Sequence, residues 1–104
     1  MIIYNTTFHI QKETLVECLE YLKSTYIPKA LESGHLTEPA LRKILHSEDE
    51  EGENYSVQFN TKDMNTLNDW IRKVGAALQQ DLVKRYPNQI VGFSTLLEEI
   101  ALTE

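Results

Sequence analysis

The stretch "NYSVQFN", residues 54–60, decides the fold because apolar and polar side chains alternate along it. A period of two is typical of a β-strand with one buried face. A polar turn, "SEDEEGE" at 47–53, precedes it, and residues 40–46 before that turn fit a short helix and a strand equally well when taken alone. A hairpin across the acidic turn explains both neighbours and therefore favours the strand.

A strand and a helix are predicted before this hairpin. Residues 2–10 have strand composition, and their even-numbered positions form an apolar face. A helix is predicted from about Glu13. Pro28 should bend this helix or make it stop and restart, because proline cannot donate a backbone hydrogen bond. Gly34 would then provide a left-handed cap at the helix end.

A helix and a strand are predicted after the hairpin. The second helix begins at an N-cap, Thr61 or Asp63, and ends at "YPN", 86–88. Its apolar stripe repeats every three or four residues and comprises Met64, Leu67, Ile71, Val74, Leu78 and Leu82. The last strand runs to about Leu97, and Gly92 marks a bulge or a close backbone approach.

The element order βαββαβ predicts one α+β domain over residues 1–104. In this ferredoxin-like arrangement a four-stranded antiparallel sheet carries both helices on one face. A chain of 104 residues is long enough for one hydrophobic core and too short for two.

Charge and composition exclude several classes of partner. A net charge of -6 opposes binding to a phosphate backbone. The longest apolar runs fall far short of the roughly 20 residues that span a bilayer. We therefore expect neither a nucleic-acid partner nor a membrane. One cysteine and an N-terminus without a signal-peptide pattern predict a cytoplasmic protein.

Four stretches resemble a small bacterial family that is catalogued only as a domain of unknown function. They are "MIIYN" at 1–5, "YIPKALESGHL" at 26–36, "YSVQF" at 55–59 and "GFSTLLEE" at 92–99, so the resemblance covers essentially the whole chain. The wider resemblance is to dimeric α/β-barrel proteins. These include antibiotic-biosynthesis-type monooxygenases, chlorite-dismutase relatives and small decarboxylase or isomerase homologues.

In several of those groups the first helix ends in His-x-Pro followed by a glycine, and the histidine faces a pocket between sheet and helices. Here Tyr26, Ile27, Pro28 and Gly34 reproduce that shape, with tyrosine in the place of histidine. An unperturbed tyrosine titrates near ~10. The resemblance therefore carries no acid–base role over to Tyr26.

The sheet face opposite the helices is predicted to be polar but almost free of charge. Such a face suits packing against another sheet, whereas a solvated face usually collects charge. We predict that a second copy covers it, giving a homodimer; the alternative is a solvated face that happens to be low in charge. The residues of this face are Asn5, Thr7, His9, Ser56, Gln58 and Asn60.

Six residues are candidates for a small-molecule pocket: Tyr4, Tyr26, His35, Arg42, Tyr55 and Phe93. The four aromatic residues would wall a cavity between the sheet and the first helix, or simply pack in the core. His35 would line the pocket mouth or face solvent. Arg42 would hold a carboxylate or pair with Glu53 across the hairpin.

Neither a metal site nor a catalytic nucleophile is predicted, and we expect no cofactor. His9 and His46 lie on different segments and form no i, i+4 ligand pair. The acidic run at 48–53 lacks the spacing of an EF-hand loop. Cys18 lies near acidic residues, which raise the pKa of a thiol.

Two functions stay open. The first is a homodimeric module that binds a small ligand or a partner without catalysis. The second is a cofactor-independent small-molecule enzyme, monooxygenase- or isomerase-like, or a haem-associated protein of the dimeric α/β-barrel type. The first is favoured because no acid–base pair or nucleophile constellation can be assembled from the sequence.

Overall fold

The computed structural model describes residues 1–45 and 51–103. The first helix covers residues 15–31 after a 3-10 turn, and the second helix covers residues 64–85. The four strands are β1 (Ile2–Gln11), β2 (Leu36–Lys43), β3 (Gly52–Thr61) and β4 (Ile90–Glu98). The element order predicted from the sequence is confirmed.

The sheet has the strand order β2-β3-β1-β4, and every neighbouring pair is antiparallel. Successive side chains of a strand point to opposite faces. On β1 the side chains of Thr6, Phe8 and Ile10 are buried, so the even-numbered positions face the helices. The predicted ferredoxin-like sheet with both helices on one face is confirmed.

The hydrophobic core lies between this sheet face and the two helices. Every layer contributes large side chains that are almost fully buried, among them Phe8, Leu22, Phe59, Leu67, Trp70 and Leu82. Full burial of one large apolar side chain contributes about 1.5–3 kcal/mol. Within residues 1–45 and 51–103, neither helix has the length and apolar character needed to cross a bilayer.

The first helix passes Pro28 by changing its hydrogen-bond pattern. It is α-helical over Leu15–Tyr21, forms a π turn over Leu22–Tyr26 and is α-helical again over Ile27–Leu31. Pro28 is the second residue of the segment Ile27–Leu31, directly after the π turn, and Tyr26 and Ile27 keep right-handed helical dihedrals. The helix is therefore continuous and does not stop and restart, whereas the predicted left-handed cap is confirmed, since Gly34 has a φ of +79°.

Strand β2 begins earlier than predicted and ends at Lys43 instead of residue 46. The alternation of apolar and polar residues did not reveal where β2 begins, because Glu38 has a φ of +52° and the register against β3 shifts between Thr37 and Ala40. A bulge beside Pro39, which has no N–H, is tolerated because β2 is an edge strand. His46 and the acidic run at 48–50 lie outside the described residues.

The second helix is confirmed, but two residues of its predicted stripe, Met64 and Ile71, are exposed. The side chain of Asp63 accepts a 2.8 Å hydrogen bond from the backbone N–H of Thr66, which lowers the pKa of the Asp63 carboxyl. Trp70 is buried, whereas Ile71 is 39% exposed. Both positions lie near Leu67 on the helix surface, and the larger tryptophan fills the available space.

Gly92 marks a close approach, as predicted. It lies opposite Phe8 in the β1–β4 register, and a Cβ at this position would lie 2.7 Å from Cδ1 of the Phe8 ring. The ring therefore occupies the space that a side chain would need.

Candidate functional site

The six pocket candidates lie on both faces of the sheet and are not brought together in one place. Phe93 lies opposite Thr7 in the register, on the face without helices, and is 65% exposed. Arg42 lies on that same face, opposite Ser56, with its Nη1 donating to Oε1 of Gln58 at 3.3 Å. Because side chains alternate along a strand, neither can meet a tyrosine on the helix side.

Tyr26 and Tyr55 belong to the core. Tyr26 is 4% exposed and packs edge-on against Phe8, with ring centroids 5.9 Å apart, and burial raises the pKa of its hydroxyl. Burial also raises the pKa of Tyr55 to about 12, helped by the hydrogen bond that its hydroxyl donates to Glu53 at 2.6 Å. Lys43, not Arg42, pairs with Glu53, at 3.3 Å.

His35 and Cys18 are the remaining titratable residues that the sequence singled out, and they lie in different surroundings. His35 borders an open cleft of about 440 Å³ beside Lys62, and its Nδ1 lies 2.7 Å from Oγ of Ser33. Cys18 is fully buried, and burial raises the pKa of its thiol to about 11. Among the residues described, no three His, Cys, Asp or Glu side chains are grouped so that they could hold a metal ion.

One predicted residue, Tyr4, does border a cavity on the helix side. This Tyr4–Trp70 cavity measures about 430 Å³ and lies between the second helix and strands β1 and β4. The rings of Tyr4 and Trp70 meet edge-to-face with centroids 5.5 Å apart. Ser94, also in the lining, donates a 3.3 Å hydrogen bond to the Tyr4 hydroxyl oxygen.

The cavity exists because strand β4 is poorly covered by the helices. Ser94 and Leu96 share the helix-side face of β4, yet both remain exposed. The π turn of the second helix, Ile71–Gly75, borders the opening. A Cβ on Gly75 would lie 2.6 Å from the Trp70 ring, so only glycine lets this ring rest against its own helix.

The six predicted residues of the uncovered face do lie together on it. We call this surface, formed by the side chains of all four strands that point away from the helices, the open face. Its central polar groups bond to one another: Ser56 donates to Oδ1 of Asn5, whose Nδ2 donates to Thr7 at 3.2 Å. Nδ1 of His9 lies 2.9 Å from Oδ1 of Asn54.

Strand β4 gives the open face an apolar margin that the sequence analysis missed. Val91, Phe93 and Leu97 lie opposite His9, Thr7 and Ile3 in the register and are 67%, 65% and 43% exposed. Their odd-numbered spacing was visible in the sequence, but the register that assigns them to this face was not. The open face thus combines an uncharged polar centre with exposed aliphatic and aromatic side chains.

Several solved structures share this fold. A protein of the EthD (ethyl tert-butyl ether D) family from Bacillus halodurans is 17% identical, with a TM-score of 0.69 over 96% of this chain and 100% of its own. A candidate antibiotic biosynthesis monooxygenase from Deinococcus radiodurans is 11% identical, with a TM-score of 0.73, and the match covers 100% of this chain and 97% of that protein. A NIPSNAP domain protein from Burkholderia xenovorans is 13% identical, with a TM-score of 0.66, and the match covers 100% of this chain and 99% of that protein.

At these identities the likeness concerns the ferredoxin-like fold alone. No curated protein shows a significant match to the sequence. Residues 1–100 match a family described as a domain of unknown function, DUF4286. The chain therefore belongs to the DUF4286 family.

Proposed function

We propose that the chain works as a homodimeric small-ligand-binding module in which a second copy covers the open face. The observation that carries this proposal is the apolar margin of that face. Val91 and Phe93 are large apolar side chains exposed next to each other, and Leu97 is exposed on the same face of β4 beyond Thr95, all beside an uncharged polar centre. Contiguous apolar surface of this kind is rare on a monomer unless it is an interaction site.

The size of the open face suits a stable dimer. Four strands spaced by ~4.8 Å, each about nine residues long at ~3.3 Å per residue, cover roughly 600 Å² in projection. Side chains make the accessible area larger than the projection, which brings it near the ~800 Å² per partner of a standard interface.

The polar centre of the open face is prepared for burial. Covering a polar group is costly when it leaves that group without a hydrogen bond. Here Asn5, Thr7 and Ser56 bond to one another along the sheet, so a second copy can cover them without breaking those bonds. The resemblance to dimeric α/β-barrel proteins supports the same arrangement.

The state of the reactive side chains supports a binding role over catalysis. A thiol or phenol acts as a nucleophile or base when its pKa lies near the working pH. Burial raises the pKa of the Cys18 thiol to about 11 and helps to raise the pKa of the Tyr55 hydroxyl to about 12. Both pKa values lie far above neutrality.

Light scattering at micromolar concentration tests the dimer. We expect the wild-type protein to have twice the mass of one chain and Phe93→Glu to have the mass of a monomer, because the glutamate would be buried without a partner. Val16→Glu is the matched control, since Val16 is 82% exposed on the first helix, and it should stay dimeric. Circular dichroism checks that both variants are folded. A monomeric wild type, or a dimeric Phe93→Glu, would refute the proposal.

A further inference from the structure

We propose that the Tyr4–Trp70 cavity binds an uncharged, largely apolar ring compound that carries a hydroxyl or carbonyl oxygen. This inference rests on the ligand-binding part of the proposed function and names the class of ligand. The cavity lies on the helix side of the sheet, so it shares no side chain with the open face.

The lining of the cavity selects an uncharged ligand. None of the described side chains that border it belongs to an Asp, Glu, Lys, Arg or His residue. An ion that entered would lose its hydration without gaining a countercharge, which is strongly unfavourable. The volume of about 430 Å³ lies within the range of small-molecule sites.

Apolar side chains that lack cover converge on this cavity. Met64 and Ile71 of the second helix and Leu96 of β4 all border it, and they are 41%, 39% and 47% exposed. The edge-to-face pair of Tyr4 and Trp70 forms an aromatic wall beside them. A ring compound would remove these surfaces from water and offer its own ring to the aromatic pair.

A chain of hydroxyl groups supplies the polar contact. Ser94 donates to the Tyr4 oxygen at 3.3 Å, and Oγ1 of Thr6 lies 3.1 Å from Oγ of Ser94. A hydroxyl has one hydrogen, so Thr6 must be the donor to Ser94. Within residues 1–45 and 51–103, no protein acceptor takes the hydrogen of the Tyr4 hydroxyl. That hydrogen is therefore available to an oxygen of the ligand, and the amides of Asn68 and Gln79 lie in the same lining.

Nuclear magnetic resonance of the ¹⁵N-labelled protein tests the proposal with 2-naphthol, a neutral two-ring compound with one hydroxyl. At pH 7 we expect saturable shifts of the backbone amide signals of Gly75, Ala76 and Ser94. The anion 2-naphthoate has nearly the same size and should cause no such shifts, because its charge finds no partner. Absence of shifts with 2-naphthol, or equal shifts with both compounds, would overturn the proposal.

Two alanines of the second helix provide a matched pair of variants. Ala76 borders the cavity, whereas Ala77 borders a groove with Lys29 and Asp81, and both alanines are exposed. Ala76→Phe should fill the cavity and raise the dissociation constant of 2-naphthol at least tenfold, while Ala77→Phe should leave it unchanged. Tyr4→Phe should raise it about fivefold by removing the donor. Unchanged binding by Ala76→Phe would place the ligand elsewhere.

These outcomes separate the two proposals. If light scattering shows a monomer while Ala76→Phe still weakens the binding of 2-naphthol at least tenfold, only the dimer is refuted. If the dimer is found but 2-naphthol causes no shifts, only the ligand site is refuted.

Discussion

The indole N–H of Trp70 donates a 2.9 Å hydrogen bond to the backbone carbonyl of Ala30 inside the core. Ala30 lies in the last turn of the first helix, where carbonyl groups lack partners within the helix. The second helix therefore caps the first through one side chain. The same indole packs against Tyr4, so the residue that joins the helices also forms a wall of the Tyr4–Trp70 cavity.

Trp70→Phe should destabilise the protein by about 2–4 kcal/mol, measured by urea unfolding. The substitution leaves the Ala30 carbonyl buried without its donor and creates a void where the larger ring was. Tyr86→Phe is the control, because the bond from the Tyr86 hydroxyl to the Glu17 carbonyl is long, at 3.4 Å. We expect that change to cost less than about 0.5 kcal/mol. Equal losses for both variants would contradict the capping role of Trp70.

Gly92→Ala should destabilise the protein by about 1–3 kcal/mol, because the new Cβ meets the ring of Phe8 and overpacks the sheet. The explanation can be tested in a double-mutant cycle with Phe8→Leu, which replaces the ring by a smaller side chain. In the Phe8→Leu background, Gly92→Ala should lower the free energy of unfolding by clearly less. If its cost is the same in both backgrounds, contact with Phe8 is not the cause.

The stability of the protein should fall as the pH rises from 10 to 12. The pKa of Tyr55 is raised from 10.0 in the unfolded reference to about 12 in the folded protein. In this window the unfolded state releases the proton and the folded state retains it, so unfolding becomes easier by at most about 1.4 kcal/mol per pH unit.

Tyr55→Phe isolates this contribution from that of other groups that titrate in alkali. The stability difference between wild type and Tyr55→Phe should be constant from about pH 7 to 10, where Glu53 stays ionised, and should shrink between pH 10 and 12. Urea unfolding at several pH values measures it. A difference that is independent of pH would show that Tyr55 titrates equally in both states.

Cys18 should be inert towards a thiol reagent such as Ellman's reagent at pH 8 while the protein is folded. The side chain is fully buried, and its pKa of about 11 leaves almost no thiolate. It should react stoichiometrically in concentrated urea. Val16→Cys in a Cys18→Ala background provides the control, because position 16 is 82% exposed and should react without denaturant. Fast labelling of the folded wild type would contradict the assignment of Cys18 to the core.

The sequence predicted the elements that follow one simple period. The even-numbered face of β1 and the second helix could be identified because their apolar spacing extends over many residues. The beginning of β2 could not, since the left-handed φ of Glu38 and the adjacent Pro39 break the alternation. At this point the backbone follows a bulge in an edge strand, and the position of a bulge depends on pairing with the neighbouring strand, not on the local sequence pattern.

The candidate site was less predictable than the fold. Tyr4 was identified, but Trp70 and Ser94 reach it only through helix packing and strand register. Phe93 was assigned to the same pocket because no local signal fixes how β4 aligns with β1. A slip of one residue moves a strand's side chains to the other face of a sheet, and the alignment depends on the whole fold.

The two margins of the sheet differ in a way that limits polymerisation. The outer margin of β2 is interrupted by Pro39 and a bulge, whereas β4 is regular and carries neither proline nor lysine. A foreign strand can therefore extend the sheet at β4 but is discouraged at β2. Two molecules that paired through their β4 edge strands would leave only their β2 edge strands free for a third molecule. Such growth therefore ends at a pair and does not continue into a fibril.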